Sequence, residues 1–334
     1  MRVLIIGDRG GGGVLNYVRT LQACMPPEVV VKTINGEEFA GRNGHDIREW
    51  FQIRSICKRF KPDVVHFNVP VLFMALYVRL FTHAKIVCSW HMPTTARNPS
   101  RSNKCFFKVL GSKCYYLPVS SVTWAGLKRW LPNAEGEVFF NPYRVGKSGK
   151  LATADAGRTK GAEFVVGMVG RNADQKDWPS FHKIEEIIQK RLSDSLGPAI
   201  LDGRKVKFLN AGEGGFCDGV SAIRQMDVFV MTSRHEELPT VVLECFALGT
   251  PICGFVPVGG VIDILGFSDG SVRKAFIHER DCRCLADIVI GLLSDENKRM
   301  QMICDGRRIL DEHFAAEKLV PEQLTAIYQK VQRG

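Results

Sequence analysis

The sequence predicts an α/β protein built from two doubly wound parallel sheets. Short apolar segments of strand type alternate with amphipathic helical patterns through the first half of the chain, and the alternation restarts after residue 161. The stretch between them is rich in Gly, Lys, Ser, Thr and Ala, which is typical of a linker. We therefore predict a first domain at 1–144, a linker at 145–161, a second domain at 162–312 and a closing segment at 313–334.

The first domain opens on a strand at 3–6, a run of four glycines at 10–13 and a helix. The remaining predicted strands are at 29–33, 62–67, 85–89, 115–119 and 138–140, and the helices are at 14–24, 46–60, 71–81 and 122–131. Ser120 is the expected N-cap of the last of these helices, and the polar residues 94–104 predict a loop.

The second domain repeats the pattern with longer helices toward its end. Strands are predicted at 164–169, 206–210, 227–231 and 251–256, and helices at 181–191, 240–248, 282–293, 296–310 and 315–331. A glycine turn at 212–215 leads into the segment that contains 223–226.

Composition indicates a globular, cytoplasmic protein. The chain of 334 residues is 45% apolar and 24% charged, no segment approaches the roughly 18 apolar residues of a membrane span, and the apolar start is too short for a signal sequence. Eleven cysteines without a secretory signal favour free thiols. A net charge of +10 fits nucleic acid, an anionic membrane or anionic substrates. Nucleic acid ranks last, because no helix-turn-helix, zinc-finger or RNP-like motif is present.

The most informative stretch is 233–260, which predicts strand, loop, helix and strand in turn. Glu236 lies in the loop and Glu244 follows it by two helical turns, so both are expected toward one edge of the sheet. Pro239 suits the first turn of the helix, where a missing N–H costs nothing. The run Glu-x7-Glu, followed by Gly-Thr-Pro and Gly-Gly, resembles the signature of family 4 retaining glycosyltransferases, which have two Rossmann-like domains facing a cleft (the GT-B fold).

The resemblance implies that the first domain binds the acceptor, that the second binds the nucleotide-sugar, and that the helix in 313–334 crosses back to the first domain. It also implies a role for each matching residue. Glu244 would bind the donor ribose, and Glu236 would face the donor sugar as a catalytic residue. Arg171 and Lys176 match the family's G-R-x(4)-K run, which holds the leaving diphosphate. Further diphosphate contacts are expected from Gly12, Gly13, Leu238, Pro239 and Thr240. The sequence departs from the pattern at Glu237 and Pro142, where glycine is usual, and this leaves the identity of the donor open.

Two histidines end strands of the first domain. His91 matches a family histidine in the cleft near donor and acceptor, and is the second expected catalytic residue. His66 suits a structural role at least as well. The four glycines match neither a dinucleotide fingerprint nor a P-loop, so that a flexible turn and an anion-binding loop both remain open.

The implied function is retaining transfer of a sugar from a nucleoside diphosphate sugar, UDP-sugar being favoured, to a glycan or lipid-linked acceptor in bacterial surface polysaccharide synthesis. We predict no cofactor and no metal, because Arg171 and Lys176 can stabilise the leaving diphosphate in place of a divalent cation. The alternatives are a nucleotide-sugar epimerase of the same architecture and a non-catalytic, nucleotide-sugar-binding partner subunit. The failed dinucleotide fingerprint disfavours a dehydrogenase.

Two basic and aromatic stretches in the first domain allow two interpretations. One is a solvated basic face; the other is peripheral contact with the anionic inner face of the cytoplasmic membrane, which would bring the site to a lipid-linked acceptor. The stretches contain Arg97, Arg101, Lys104, Phe106, Phe107 and Lys108, and Tyr77, Arg79, Leu80 and Phe81.

Overall fold

The computed structural model describes residues 1–8, 13–41, 46–94, 98–110, 113–144, 163–193, 201–215 and 218–333. The chain divides into unit 1, formed by 1–144 and 314–334, and unit 2, formed by 145–313. Each unit contains a parallel sheet with helices in its crossover connections. The predicted α/β class with two doubly wound sheets is therefore confirmed. The predicted linker at 145–161 lies outside the described residues.

Unit 1 contains six parallel strands in the order β2-β1-β3-β4-β5-β6. The strands are β1 Arg2–Ile6, β2 Val30–Ile34, β3 Val64–Phe67, β4 Lys85–Trp90, β5 Cys114–Pro118 and β6 Glu135–Gly136. The helices between them are α1 Gly13–Cys24, α2 Ile47–Phe60, α3 Leu72–Phe81, α4 Arg101–Leu110 and α5 Ser121–Trp130.

The sheet of unit 1 is covered on both faces, which explains why its strands are almost uninterrupted apolar runs. In β1, Leu4 and Ile6 point into one core with α2, α3 and α4, whereas Val3 and Ile5 point into a second core. That second core includes α1 and buried residues of the C-terminal segment, among them Leu324.

Unit 2 contains a five-stranded parallel sheet in the order β13-β11-β9-β7-β8 and a two-stranded pair of β10 and β12. The strands are β7 Glu163–Val169, β8 Lys205–Ala211, β9 Val228–Met231, β10 His235–Glu236, β11 Ile252–Phe255, β12 Val258–Gly259 and β13 Phe276–Ile277. The helices are α6 Trp178–Ser193, α7 Gly219–Ile223, α8 Thr240–Leu248, α9 Val261–Gly266, α10 Ser271–Lys274, α11 Cys282–Ser294 and α12 Glu296–Ile309.

Three local predictions are wrong. The loop expected at 94–104 gives way to α4 at residue 101, because the Ser100 hydroxyl accepts the Asn103 N–H and Phe106 and Phe107 are buried in the core. The strand expected at 138–140 is absent from the described residues there, and the short β6 lies at 135–136 instead. Its Gly136 passes so close to Tyr116 that a Cβ would lie 2.1 Å from the Tyr116 carbonyl oxygen.

The third wrong prediction is a continuous helix at 315–331. The segment forms π-helical turns at Leu310–Phe314 and Leu319–Leu324, with α13 Ala316–Lys318 between them and α14 Thr325–Arg333 after them. Pro321 lies inside the second π-helical turn, and it cannot donate the N–H of a regular helical hydrogen bond. The break leaves α14 as a separate helix that packs in unit 1.

Candidate functional site

The candidate site of unit 2 lies at the carboxyl edge of its sheet. Strands β7 and β9 are neighbours in the parallel order, so the loops that follow them emerge side by side. The first loop carries Arg171 and Lys176, and the second leads through Thr232 to Glu236. Loops at this edge are where ligands bind in open parallel sheets.

A close ion pair joins the two loops. Lys176 Nζ donates to Glu236 Oε1 at 2.5 Å, and the side chains are only 16% and 12% exposed. A Cβ on Gly170 would lie 3.0 Å from the Lys176 methylenes, so a glycine there leaves room for the lysine stem. At such low exposure, solvent screens the pair much less than it screens a surface salt bridge.

Main-chain and hydroxyl contacts fix the register of the two loops. The Thr232 hydroxyl donates to the Lys176 carbonyl oxygen at 2.8 Å, and the Arg234 N–H donates to the Gln175 carbonyl oxygen at 2.7 Å. The Gln175 amide donates in turn to the His235 carbonyl oxygen at 2.7 Å. These bonds hold Lys176 opposite Glu236 without any ligand.

A buried aspartate anchors the same region, and the sequence analysis missed it. Asp177 is 3% exposed, has a positive φ of 54°, and accepts bonds from Ser180, Arg234 and Arg280. Burial alone would raise the pKa of Asp177, but these hydrogen bonds outweigh it and hold the pKa below its usual range. The available signal was an aspartate directly before α6, with Pro179 in the first turn of that helix.

Glycines of the Gly-Gly loop hold β10 in place. Gly259 pairs with Glu236 across the β10 and β12 strands, with φ at 138°. A Cβ there would lie 1.7 Å from the Glu236 carbonyl oxygen, so only glycine fits. The next N–H, that of Gly260, donates to the same oxygen at 2.9 Å. This part of the motif therefore positions Glu236 through the backbone.

Helix α8 begins beside this loop, with Pro239 as its N-cap residue. Leu238 and Pro239 are buried and Thr240 is half-buried. Leu238 could therefore meet an anion only through its backbone N–H, whereas Pro239 has no N–H to donate. Glu244 lies in the second turn and is half-buried. Burial raises the pKa of Glu244, the Lys176 charge opposes this rise, and the Asp218 charge adds to it. Lys176 thus acts electrostatically on both predicted glutamates.

Arg171 is exposed, and its carbonyl oxygen accepts the Trp178 indole N–H at 3.1 Å. Its guanidinium has no carboxylate partner within the described residues, which leaves it available to an anion.

A second titratable pair joins α6 to the glycine turn after β8. His182 Nε2 lies 2.9 Å from Glu213 Oε1, in the glycine turn after β8. The hydrogen bond to Glu213 raises the pKa of His182.

Unit 1 contains the other predicted residues. Gly12 lies outside the described residues, and Gly13 is the exposed first residue of α1. His91 directly follows β4, and its ring meets that of Tyr17 edge-on at 4.6 Å. Its Nε2 is buried and has no hydrogen-bond partner among the residues that the structure describes. Burial lowers the pKa of His91 to about 4, so the ring is neutral at pH 7.

His66 has a structural environment. Its Nδ1 lies 2.6 Å from the Tyr328 hydroxyl and its Nε2 lies 2.8 Å from the Ser89 hydroxyl. Ser89 also bonds the Tyr17 hydroxyl at 3.0 Å. Burial lowers the pKa of His66 to about 3, and the nearby His91 adds to the shift. The buried chain links α14 to α1, and Tyr17 at its end contacts His91.

The two basic and aromatic stretches differ from expectation. Phe106 and Phe107 are 1% and 4% exposed, and Tyr77 is 7% exposed, so these rings belong to the core. Arg79 is also structural, because it donates to the carbonyl oxygens of residues 109 and 110 at the end of α4. Leu80 and Phe81 are exposed, and Arg97 lies outside the described residues.

Within the described ranges, no three His, Cys, Asp or Glu side chains form a group that could hold a metal ion. The cysteines in these ranges are free thiols. In the part of the chain that the structure describes, no helix has the length and apolar character needed to cross a membrane.

Comparisons with known proteins agree with the fold. Residues 207–309 match the family model described as glycosyl transferases group 1. Sulfoquinovosyl transferase SQD2 of Arabidopsis thaliana is 24% identical over 363 residues, which cover 90% of this chain and 69% of that protein.

Solved structures cover nearly the whole chain. Anabaena HepE in complex with UDP and glucose has a TM-score of 0.67 at 14% identity, covering 99% of this chain and 100% of that one. Sucrose-phosphate synthase from Thermosynechococcus elongatus has a TM-score of 0.71 at 15% identity, covering 99% and 98%. At such identities the likeness shows the fold.

Proposed function

We propose that this chain, which has a GT-B fold and carries a glycosyl transferases group 1 domain at 207–309, is a glycosyltransferase that moves a sugar from a nucleoside diphosphate to an acceptor hydroxyl. The observation that carries the proposal is the convergence of Lys176, Glu236 and Glu244 from three elements at the carboxyl edge of the unit 2 sheet. One cation and two carboxylates match a donor with a diphosphate flanked by two polyhydroxyl groups.

Each side chain has chemistry suited to one part of the donor. Lys176 and the exposed Arg171 would neutralise the diphosphate, and the positive end of α8 would add to this attraction. Glu244 would accept bonds from both ribose hydroxyls, since a carboxylate has two acceptor oxygens. Glu236 would accept bonds from hydroxyls of the donor sugar.

We favour a retaining reaction without a protein nucleophile. The Glu236 carboxylate already accepts a hydrogen bond from the Lys176 ammonium at 2.5 Å, which makes it a weak nucleophile. Instead, the leaving phosphate oxygen would take the proton of the acceptor hydroxyl while Lys176 and Arg171 stabilise the diphosphate. These two cations underlie the proposal that the reaction needs no metal ion and no cofactor. Membership of family 4 rests on the motif at 233–260.

UDP-sugar is the favoured donor, and two structures of Anabaena HepE support it, because one is a complex with UDP and glucose and the other is a complex with UDP-glucose. A hexosyl group and a bacterial surface polysaccharide or lipid-linked glycan acceptor are proposed with it. His91 would contribute a neutral ring whose Nε2, which has no partner in the described ranges, can bond a hydroxyl. We place the protein in the cytoplasm and in peripheral contact with the inner face of the membrane, where such acceptors are found.

The first test is calorimetric binding of UDP, GDP and ADP, with and without EDTA. We expect one nucleotide to bind tightly, with an affinity that EDTA leaves unchanged, and Glu244→Ala to weaken binding by at least tenfold. Glu186→Ala, which removes an exposed carboxylate from α6, is the matched control and should bind as wild type does. If Glu244→Ala binds the nucleotide as tightly as wild type and Glu186→Ala do, the assignment of Glu244 to the ribose is wrong. If wild type binds none of the three nucleotides, the proposed donor site is wrong.

Binding alone leaves a silent partner subunit open, so a second assay follows the donor. Wild type should release nucleoside diphosphate from the matching nucleotide-sugar, slowly with water and faster with an acceptor. Conversion of the donor into an isomeric nucleotide-sugar would instead identify an epimerase, and an unchanged donor would identify a non-catalytic binder.

A further inference from the structure

A cavity of about 470 Å³ opens at the amino-terminal edge of the unit 1 sheet. It lies where β1, β3 and β4 begin, whereas His91 follows the opposite end of β4. Four cations line it, namely Arg2, Lys58, Lys61 and Lys85, together with the aromatic rings of Tyr77 and Phe81. The cavity is therefore separate from the site described above.

The floor of the cavity is a rigid part of the sheet. The Arg2 N–H donates to Asp63 Oδ2 at 2.6 Å, and the Asp63 N–H donates to the Arg2 carbonyl oxygen at 2.8 Å. The Lys85 N–H donates to the Asp63 carbonyl oxygen at 2.9 Å. With strands about 4.8 Å apart, the backbones of Arg2 and Lys85 are about 10 Å apart and can flank a phosphate group.

The cavity has an excess of positive charge. In the described residues, none of the four cations has a carboxylate within 4.0 Å. Asp63 is the only acid in the described lining, and one of its carboxylate oxygens accepts the Arg2 backbone N–H. Three net positive charges remain. The helices α2, α3 and α14 also end near the cavity, and each C-terminus offsets roughly half a charge. About half of the excess positive charge is therefore left to attract an anion.

Exposed apolar side chains lie on α2 and α3, the two helices whose C-terminal ends line this basic cavity. Phe51 and Leu80 are each 59% exposed and Phe81 is 62% exposed. Trp50 meets the Phe81 ring edge-on at 5.4 Å and so joins α2 to α3 at this point. On α2, Phe51 and Lys58 are seven residues apart and share one face, which changes from apolar to basic toward the cavity.

We propose that this cavity binds the headgroup phosphate of an anionic membrane lipid, with Phe51, Leu80 and Phe81 at the boundary of the acyl chains. A free phosphate ester would satisfy the cations but leave these three side chains in water, so the combination favours a lipid in a membrane. The proposal rests on the membrane contact proposed above and is independent of the donor and of catalysis.

The test is sedimentation with phosphatidylcholine vesicles, either neutral or containing about one third phosphatidylglycerol. Wild type should sediment with the anionic vesicles only. Each lysine near an anionic surface contributes about fivefold to partition, so Lys58→Gln with Lys61→Gln should weaken partition about thirtyfold. The control pair Lys205→Gln with Lys207→Gln removes the same charge from the edge strand β8 of unit 2, and should reduce it far less.

Each outcome decides a different point. If both lysine pairs lose vesicle partition equally, the cavity is not the binding site and general charge attraction explains the binding. If wild type does not bind vesicles, the proposed membrane contact is wrong as well. Calorimetry with glycerol 3-phosphate separates lipid from free ester. Phe51→Ser with Leu80→Ser should reduce vesicle partition and leave any ester binding unchanged. If that pair sediments as wild type does, the source is not a membrane lipid. Donor binding should be the same in all these variants, so failure here does not bear on the transferase.

Discussion

The ion pair between Lys176 and Glu236 leads to a prediction that runs against simple loss of function. In the free site, Glu236 Oε1 neutralises the ammonium that we assign to the diphosphate. A nucleoside diphosphate without a sugar gains the lysine but must also lie close to the glutamate. We therefore predict that Glu236→Gln binds UDP more tightly than wild type does, although it transfers sugar more slowly.

The size of the gain follows from the geometry. A phosphate on the far side of Lys176 Nζ lies about 6 Å from the carboxylate, given the 2.5 Å pair and a similar contact to the phosphate. Repulsion between unit charges at that distance is about 3 kcal/mol at an effective dielectric constant of 20 and about 0.7 kcal/mol in bulk water. UDP affinity should therefore rise between about threefold and a hundredfold.

Calorimetry of UDP and UDP-sugar on both proteins measures the effect. The UDP gain should shrink as salt is added, because the repulsion is electrostatic. UDP-sugar should gain less than UDP, because the amide cannot replace the charged bonds to the sugar hydroxyls. Unchanged or weaker UDP binding in Glu236→Gln would refute the assignment of Lys176 to the diphosphate. Lys176→Gln is the matched variant and should lose UDP binding by about tenfold or more.

Three further predictions concern stability. Gly259→Ala should cost about 1–3 kcal/mol in urea unfolding, because φ is 138° and the Cβ meets the Glu236 backbone; wild-type stability would contradict the local geometry. Arg280→Met should lower the free energy of unfolding by a similar amount and also weaken donor binding, because it removes a partner of the buried Asp177. If only stability falls, Asp177 does not support the donor site. The depressed pKa of His66 means that the unfolded chain binds its proton first as pH falls. Stability present above pH 6.5 should therefore decline toward pH 3, by about 2 kcal/mol at pH 5, and His66→Gln should flatten this decline in thermal unfolding.

The sheet architecture was predictable because both sheets are buried on two faces. Apolar runs such as β3 and β9 cannot be mistaken for loops, and parallel order follows from the intervening helices. The positions of Lys176 and Glu236 were predictable for the same reason, since both residues lie in loops after parallel strands. The start of α4 at Arg101 was harder to predict. The sequence of 94–104 is polar, and the burial of Phe106 that stabilises the helix depends on the tertiary core.

The supporting residues of the site were not predictable. Asp177 and Arg280 are 103 residues apart, and their contact depends on the start of α6 meeting the segment after β13. Arg79 is a second case in which a tertiary contact could not be predicted from the sequence, because its charge suggested a membrane-facing role. Its guanidinium instead satisfies the final carbonyl groups of α4. A charge in a sequence does not reveal whether a helix end lies within its reach.

The same limit applies to Glu237, which stands where the resembled family commonly has glycine. From the sequence, it would place a second negative charge beside the donor. In the structure, burial raises its pKa, a backbone hydrogen bond opposes the rise, and the Glu236 charge adds to it. A carboxyl group with a raised pKa holds its proton more readily in the folded than in the unfolded protein, so lower pH favours the folded state at this residue. Burial thus makes Glu237 easier to protonate than a solvent-exposed glutamate, and its protonated form has a hydrogen-bond donor that glycine lacks.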